Sequence, residues 1–111
     1  MIAKAKVRFV RVSPTKVRQV IELIRGKDVS KALAVLPHVN KGATAFVKKT
    51  LNSAISNAKQ KGLNDNQLYI SKITADQGPS LKRFRAEAFG RASQILKKTT
   101  HLTIELDLIT Q

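Results

Sequence analysis

From Ala3 to Phe9 the chain alternates apolar residues at odd positions (Ala3, Ala5, Val7, Phe9) with basic residues at even ones (Lys4, Lys6, Arg8). A two-residue period predicts a strand with one face on a core and the other toward solvent or an anion. The phase slips at Val10 and Val12, marking a bulge or the end of the strand. Ser13-Pro14 then reads as a helix start, with serine as N-cap and proline in the first turn, where its missing N–H costs nothing. Val17, Val20, Ile21 and Ile24 form a helical stripe, and Gly26 suits its stop. Lys16, Arg18 and Arg25 lie off that stripe. A short second helix is expected from about Val29 to Leu36, with Ala32, Leu33 and Leu36 inward and Pro37 ending it. The longest helix is expected over roughly Lys41 to Lys61, with Val47, Leu51, Ala54, Ile55 and Ala58 as its apolar stripe and Gly62 as its stop.

Two more strands follow. Gln67 to Ala75 is rich in Tyr and Ile, and Leu102 to Ile109 alternates Leu102, Ile104, Leu106 and Leu108 with Thr103, Glu105 and Asp107. They suit a hairpin whose connection is the whole intervening segment, and a connection of that length in a compact domain tends to be functional. At 111 residues, with no repeat and no linker, the chain is expected to form a single domain, 1–111.

Charge changes the picture. Lys plus Arg number 21 against 7 acidic residues, a net charge of +14, and that imbalance costs self-repulsion unless an anionic partner offsets it. Between Gly78 and His101, Lys82, Arg83, Arg85, Arg91, Lys97 and Lys98 face a single acid, Glu87, with Leu81, Phe84, Phe89, Ile95 and Leu96 threaded among them. Such a mixture fits RNA, since cations neutralise phosphates while aromatic and guanidinium planes stack on exposed bases. Lys4, Lys6, Arg8, Arg11, Lys16, Arg18 and Arg25 extend the cationic set toward the N-terminus, where no acid precedes Glu22. Asn52 and Asn57 suit surface polarity or hydrogen bonds to RNA sugars or a neighbouring loop. Phe84 and Phe89 suit a helix core or stacking on an exposed arm. Leu81, Phe84, Ala88, Ala92 and Ile95 have helical spacing, so periodicity taken alone draws a helix through this segment.

Little supports catalysis. The two histidines, His38 and His101, lack the local spacing of a metal site, and no carboxylate pair or phosphate-cradling glycine loop is visible. His38 reads as a loop residue and His101 as a packing or phosphate-contact residue. With no Cys, disulfides and thiolate metal sites are excluded. The apolar runs are too short to span a bilayer, and the first residues lack the layout of a secretory signal, so a soluble intracellular protein without cofactor, membrane or small-molecule substrate is expected. A free nucleic-acid-binding module, such as a nucleoid protein or RNA chaperone, would share the charge, whereas a membrane-surface protein would need an apolar anchoring face.

Three motifs resemble one family. Ser13-Pro14-Thr15-Lys16-Val17-Arg18 leading to Leu23-Ile24-Arg25-Gly26, Leu51-Asn52-Ser53-Ala54-Ile55-Ser56-Asn57-Ala58, and Gly78-Pro79-Ser80-Leu81-Lys82-Arg83-Phe84-Arg85 with Gly90-Arg91-Ala92 and Lys97-Lys98-Thr99-Thr100-His101 occur in its order. The chain thus resembles the twenty-second protein family of the large ribosomal subunit, L-twenty-two in bacteria, over nearly its whole length. It departs from the family pattern at Ala86-Glu87, where Pro-Arg is frequent, and at Phe89, where Met or Lys is frequent.

The resemblance implies a non-catalytic α+β protein: three helices and a three-stranded antiparallel sheet, with a long protruding β-hairpin arm. The body would comprise about residues 1–77 and 102–111, and the arm about 78–101. It implies large-subunit ribosomal RNA, neighbouring ribosomal proteins and the nascent polypeptide as partners, in ribosomes of the cytoplasm or of an organelle. The arm, extended and not helical, would line the polypeptide exit tunnel, with Glu87, Ala88, Phe89, Gly90 and Arg91 at its tip.

Overall fold

The computed structural model describes residues 2–39, 41–86 and 92–109, with backbone alone over 81–86 and 92–96. Its elements are β1 (Ala3–Val10), α1 (Pro14–Ile21), α2 (Val29–Val35), α3 (Thr44–Lys59), β2 (Leu68–Gln77), β3 (Leu81–Ala86), β4 (Ala92–Lys97) and β5 (Thr100–Leu108). β1, β5 and β2 form an antiparallel sheet in that order, and β3 pairs with β4 as a separate antiparallel ribbon. The architecture is therefore the expected α+β one.

The sheet alternates as its sequence does. Leu102, Ile104 and Leu106 of β5, Ile73 and Ala75 of β2, and Ala3 and Ala5 of β1 are buried, while Lys4, Lys6 and Lys72 are exposed. Against the buried face pack Val17, Val20 and Ile21 of α1 and Val47, Leu51, Ala54 and Ala58 of α3. Each fully buried Leu, Ile or Val contributes about 1.5–3 kcal/mol relative to exposure.

Local details differ from the sequence expectations for identifiable reasons. Phe9 faces out, 54% exposed, because β1 bulges between Val7 and Val10 and Phe9 adopts a positive φ of 60°. That conformation costs about 1–2 kcal/mol for a residue with a Cβ. α1 ends at Ile21 and tightens into turns, which still bury Ile24. The second α-helix ends at Val35, ahead of Pro37 as expected, and a 3₁₀ turn, Leu36–His38, follows it with Pro37 inside. α3 is shorter than expected, with its stripe as read, and Gly62 closes it in a Schellman motif: the Leu63 N–H donates to the Ala58 carbonyl at 3.2 Å and the Gly62 N–H to that of Lys59 at 3.0 Å. Between Leu81 and Lys97 the described backbone is a ribbon, so the helical spacing there is overridden.

Both edge strands meet side-chain donors. Along β1, Asn57 Nδ2 donates to the Lys4 carbonyl at 2.8 Å, and Lys61 Nζ donates to that of Ile2. Along β2, Arg18 donates through Nε and Nη2 to the Ala75 carbonyl at 3.2 and 2.9 Å, and Arg25 Nη1 donates to that of Ile73 at 2.8 Å.

The ribbon continues the sheet. β2 runs into β3 and β4 into β5, with three residues (Gly78, Pro79, Ser80) on one strand opposite two (Lys98, Thr99) on the other. An extra residue on one side bends and twists a ribbon. At this root Thr99 and Thr100 are buried: Thr99 Oγ1 donates to the Pro79 carbonyl at 2.6 Å and Thr100 Oγ1 to that of Val12 at 2.5 Å. Gly78 is held against them, its N–H donating to the Thr99 carbonyl at 3.0 Å, and a Cβ there would lie 2.5 Å from Thr99 Oγ1. The molecule measures 66 × 25 × 17 Å, and its radius of gyration of 17.1 Å exceeds the roughly 13 Å of a compact chain of this length.

Candidate nucleic-acid interface

A cleft of about 770 Å³ opens at the arm root, lined by Arg11, Lys16, Lys41, Lys97 and Lys98 with Ser13, Gln19 and Gly42. Its five cations come from four places: the segment after β1, the first turn of α1, the loop before α3, and the end of the ribbon. The order of the elements produces this convergence. α1 begins immediately after β1, the α3 start lies beside it, and β5 returns the ribbon to the same corner through Thr100 opposite Val10. Ser13 Oγ caps α1, accepting from the Lys16 N–H at 3.4 Å, so the cleft also faces the positive end of a helix.

Among the described residues no acid lines the cleft. Cations without counter-charge repel one another by about 0.5 kcal/mol per pair at 8 Å in water, a cost that a polyanion reverses.

Two grooves extend the cleft. One, of about 480 Å³, lies between β1 and α3 and is lined by Lys6, Arg8, Phe9, Arg11, Phe46 and Lys49, among others. A shallower one, about 540 Å³, follows the outer face of α3 past Lys48, Lys49, Asn52, Ser56 and Asn57. Arg11 is common to the cleft and the first groove, and Lys49 and Ser53 are common to both grooves. The result is a continuous cationic track that no described acid lines. Two of the acids outside it are paired, Glu22 with Arg25 at 3.0 Å and Glu105 with Lys72 at 3.8 Å.

The structure sorts the residues picked from sequence. It brings together Lys6, Arg8, Arg11, Lys16, Asn52, Asn57, Lys97 and Lys98 along the track. Lys4 lies across the strand pair from Glu105, outside the track. Arg18 and Arg25 are exposed, with their guanidinium groups donating to carbonyls of β2. Asn57 lines the track while its amide is engaged by the Lys4 carbonyl. His101 Nδ1 accepts from the Phe9 N–H at 3.2 Å and its ring meets that of Phe9 edge-on, centroids 4.9 Å apart, so it braces the β1 bulge. Lys82, Arg83, Phe84 and Arg85 belong to β3. Their side chains, and the arm-tip residues Glu87, Ala88, Phe89, Gly90 and Arg91, lie outside the described residues. Sequence reasoning missed Lys41, Lys48, Lys49 and Phe46. Lys41 reads as an ordinary loop cation until the fold sets it beside Arg11, and Phe46 carries an apolar signal, a large side chain off the α3 stripe that is 39% exposed.

Among the described residues no cluster of His, Asp or Glu could hold a metal ion, and no helix is long and apolar enough to cross a membrane. The cationic track reaches the end of the protruding β-ribbon at Lys97 and Lys98. The ribosomal protein L22p/L17e family matches residues 5–107. The large ribosomal subunit protein uL22 of Desulfitobacterium hafniense is 52% identical over 103 residues, covering 92% of this chain and 90% of its own. That of Halothermothrix orenii is 50% identical over 105 residues, covering 94% and 93%. The chain belongs to the ribosomal protein L22p/L17e family, and so is a structural component of the large ribosomal subunit and not an enzyme.

Proposed function

We propose that the protein binds large-subunit ribosomal RNA through the cationic track of its body and supports subunit assembly, while its arm lines the polypeptide exit tunnel. The observation that carries the first part is the arm-root cleft, where five cations from distant parts of the chain meet without a described acid among them. Only a multivalent anion makes use of that convergence. If each of the five engages one phosphate, the logarithm of affinity falls with the logarithm of salt with a slope of about −3.5 to −4.5. The extended backbone of β3 and β4 supports the second part, since a ribbon outside the core has little of its own to pack against and gains from a partner. On this reading Lys82, Arg83, Arg85 and Arg91 meet phosphates, Phe84 packs on bases, and Glu87 to Arg91 form the tip beside the nascent chain. The chain then resides in cytoplasmic ribosomes, among neighbouring ribosomal proteins.

Sedimentation of a cell lysate before and after a high-salt wash tests the docking. Salt-resistant migration with large subunits is expected from an arm buried in RNA, because an exposed contact such as the cleft alone is stripped and a buried one is not. Recovery at the top of the gradient, or with bulk DNA, overturns the reading in favour of a free binding module. For the arm, Arg83→Ala with Arg85→Ala is expected to reduce incorporation in competition with the wild-type chain, and equal incorporation removes their role. A photo-cross-linker at Ala88 is expected to capture a stalled nascent chain. Normal incorporation without capture removes the tunnel assignment alone.

A further inference from the structure

The groove between β1 and α3 carries something that phosphate binding does not require. Phe9 and Phe46 both line it and are 54% and 39% exposed. An exposed Phe9 is not an accident of a loose strand end. The bulge puts Phe9 at φ 60°, its N–H is tied to His101 Nδ1, the His101 ring supports its edge, and the Arg8 guanidinium lies 5.5 Å from its ring centroid. The chain thus accepts a strained backbone to hold an aromatic ring in solvent. Phe46 sits on α3 one turn before Thr50, whose hydroxyl donates to the Phe46 carbonyl at 2.9 Å. Both rings stand on braced backbone.

Around them are Lys6, Arg8, Arg11 and Lys49 and, among the described residues, no carboxylate. At about 480 Å³ the groove is within the size range of small-ligand pockets. Aromatic faces that accept any planar ring, next to cations spaced along a groove, are the arrangement by which proteins hold unpaired nucleotides. A neighbouring protein segment would have to bring several acids to the same place, whereas RNA supplies a phosphate at every nucleotide.

We propose that this groove takes an unpaired nucleotide of RNA, its base stacked on Phe9 or Phe46 and its flanking phosphates held by Lys6, Arg11 and Lys49. The body then reads a bulged or looped position in its RNA, beyond tracking the backbone. This rests on the ribosomal-RNA reading above, and its test separates the two.

The full-length chain and its Phe9→Gly and Phe46→Ala variants are titrated with full-length large-subunit ribosomal RNA over a series of salt concentrations. Glycine suits the positive φ at position 9, alanine is the best helix former at position 46, and far-UV circular dichroism checks that both variants remain folded. At least one variant is expected to bind about 5- to 150-fold more weakly, with the salt slope unchanged because no phosphate contact is removed. Lys49→Ala, in contrast, is expected to lower the slope by about 1. Ultraviolet irradiation of assembled large subunits, followed by mass spectrometry, is expected to place a nucleotide adduct on a peptide containing Phe9 or Phe46. Wild-type affinity in both variants overturns the groove and leaves the ribosomal-RNA reading standing, as does cross-linking of the groove to a protein instead of RNA. A wild-type chain that prefers duplex DNA to the ribosomal RNA overturns the underlying reading.

Discussion

Alanine at position 78 probes how tightly the arm is seated on the body. Its Cβ would lie 2.5 Å from Thr99 Oγ1 and 3.1 Å from Cε1 and Nε2 of His101. Thr99 has little room to yield: it is 1% exposed, and its hydroxyl is committed to the Pro79 carbonyl at 2.6 Å. Relief means breaking that hydrogen bond, at about 0.5–1.5 kcal/mol, or spreading the strands, at the roughly 1–3 kcal/mol typical of overpacking. Against this, φ at Gly78 is not in the left-handed region, so alanine restricts the unfolded chain and returns about 0.4–1 kcal/mol. The net expectation is a loss of up to about 2.5 kcal/mol, or about 4–8 °C in Tm for each kcal/mol in a domain near this size. Urea unfolding of the full-length chain, followed by far-UV circular dichroism, measures it. Thr99→Ala removes the clashing atom, so in that background Gly78→Ala is expected to cost at least about 1 kcal/mol less, a coupling visible in a double-mutant cycle. Two substitutions whose effects simply add would refute the close-packing argument.

Arg18 and Lys41 are expected to divide oppositely. Arg18→Ala lowers stability by about 1–2 kcal/mol, through loss of a partly solvated charged hydrogen bond to Ala75, and leaves the salt slope of RNA binding within error of wild type. Lys41→Ala leaves the urea midpoint unchanged and lowers that slope by about 1, measured by filter binding to ribosomal RNA. Thr100→Val keeps the shape of a fully buried side chain but removes the donor to the Val12 carbonyl, and a cost of about 1–3 kcal/mol is expected by urea unfolding. Leu51→Ala, at the centre of α3 and fully buried, is expected to cost about 2–5 kcal/mol by the same method, with the range set by how far the cavity collapses.

Periodicity in the chain was a good guide wherever one face of an element is buried and the other is wet. The stripes Val17-Val20-Ile21-Ile24 and Val47-Leu51-Ala54-Ile55-Ala58, and the alternation of Leu102, Ile104 and Leu106, all lie in the core. It misled where burial is not what orders the chain. Phe9 continues the odd-numbered apolar run of β1, yet the bulge, held by His101 from 92 residues away, turns it out. Between Leu81 and Ile95 the apolar spacing is helical, but the described backbone is a ribbon continuous with β2 and β5; family resemblance, and not spacing, pointed to it. The cations were legible as a total and largely by name, whereas their division into track and scaffold was not. Lys16 and Arg18 look alike in the sequence, two cations off the same apolar stripe. They part only in the fold, where β2 presents a carbonyl within reach of the Arg18 guanidinium and Lys16 is left facing the cleft.

The donors along the outer strands bear on the life of the chain before it joins its partner. A sheet with open edges is a template for pairing with other strands, and two such edges allow chains to stack without limit. Here Asn57 and Lys61 occupy acceptors on one side, Arg18 and Arg25 occupy them on the other, and three of the four are cations. A second molecule approaching edge to edge must displace these bonds and bring like charges together. The surplus of positive charge along both edges thus opposes edge-to-edge pairing between copies of the chain.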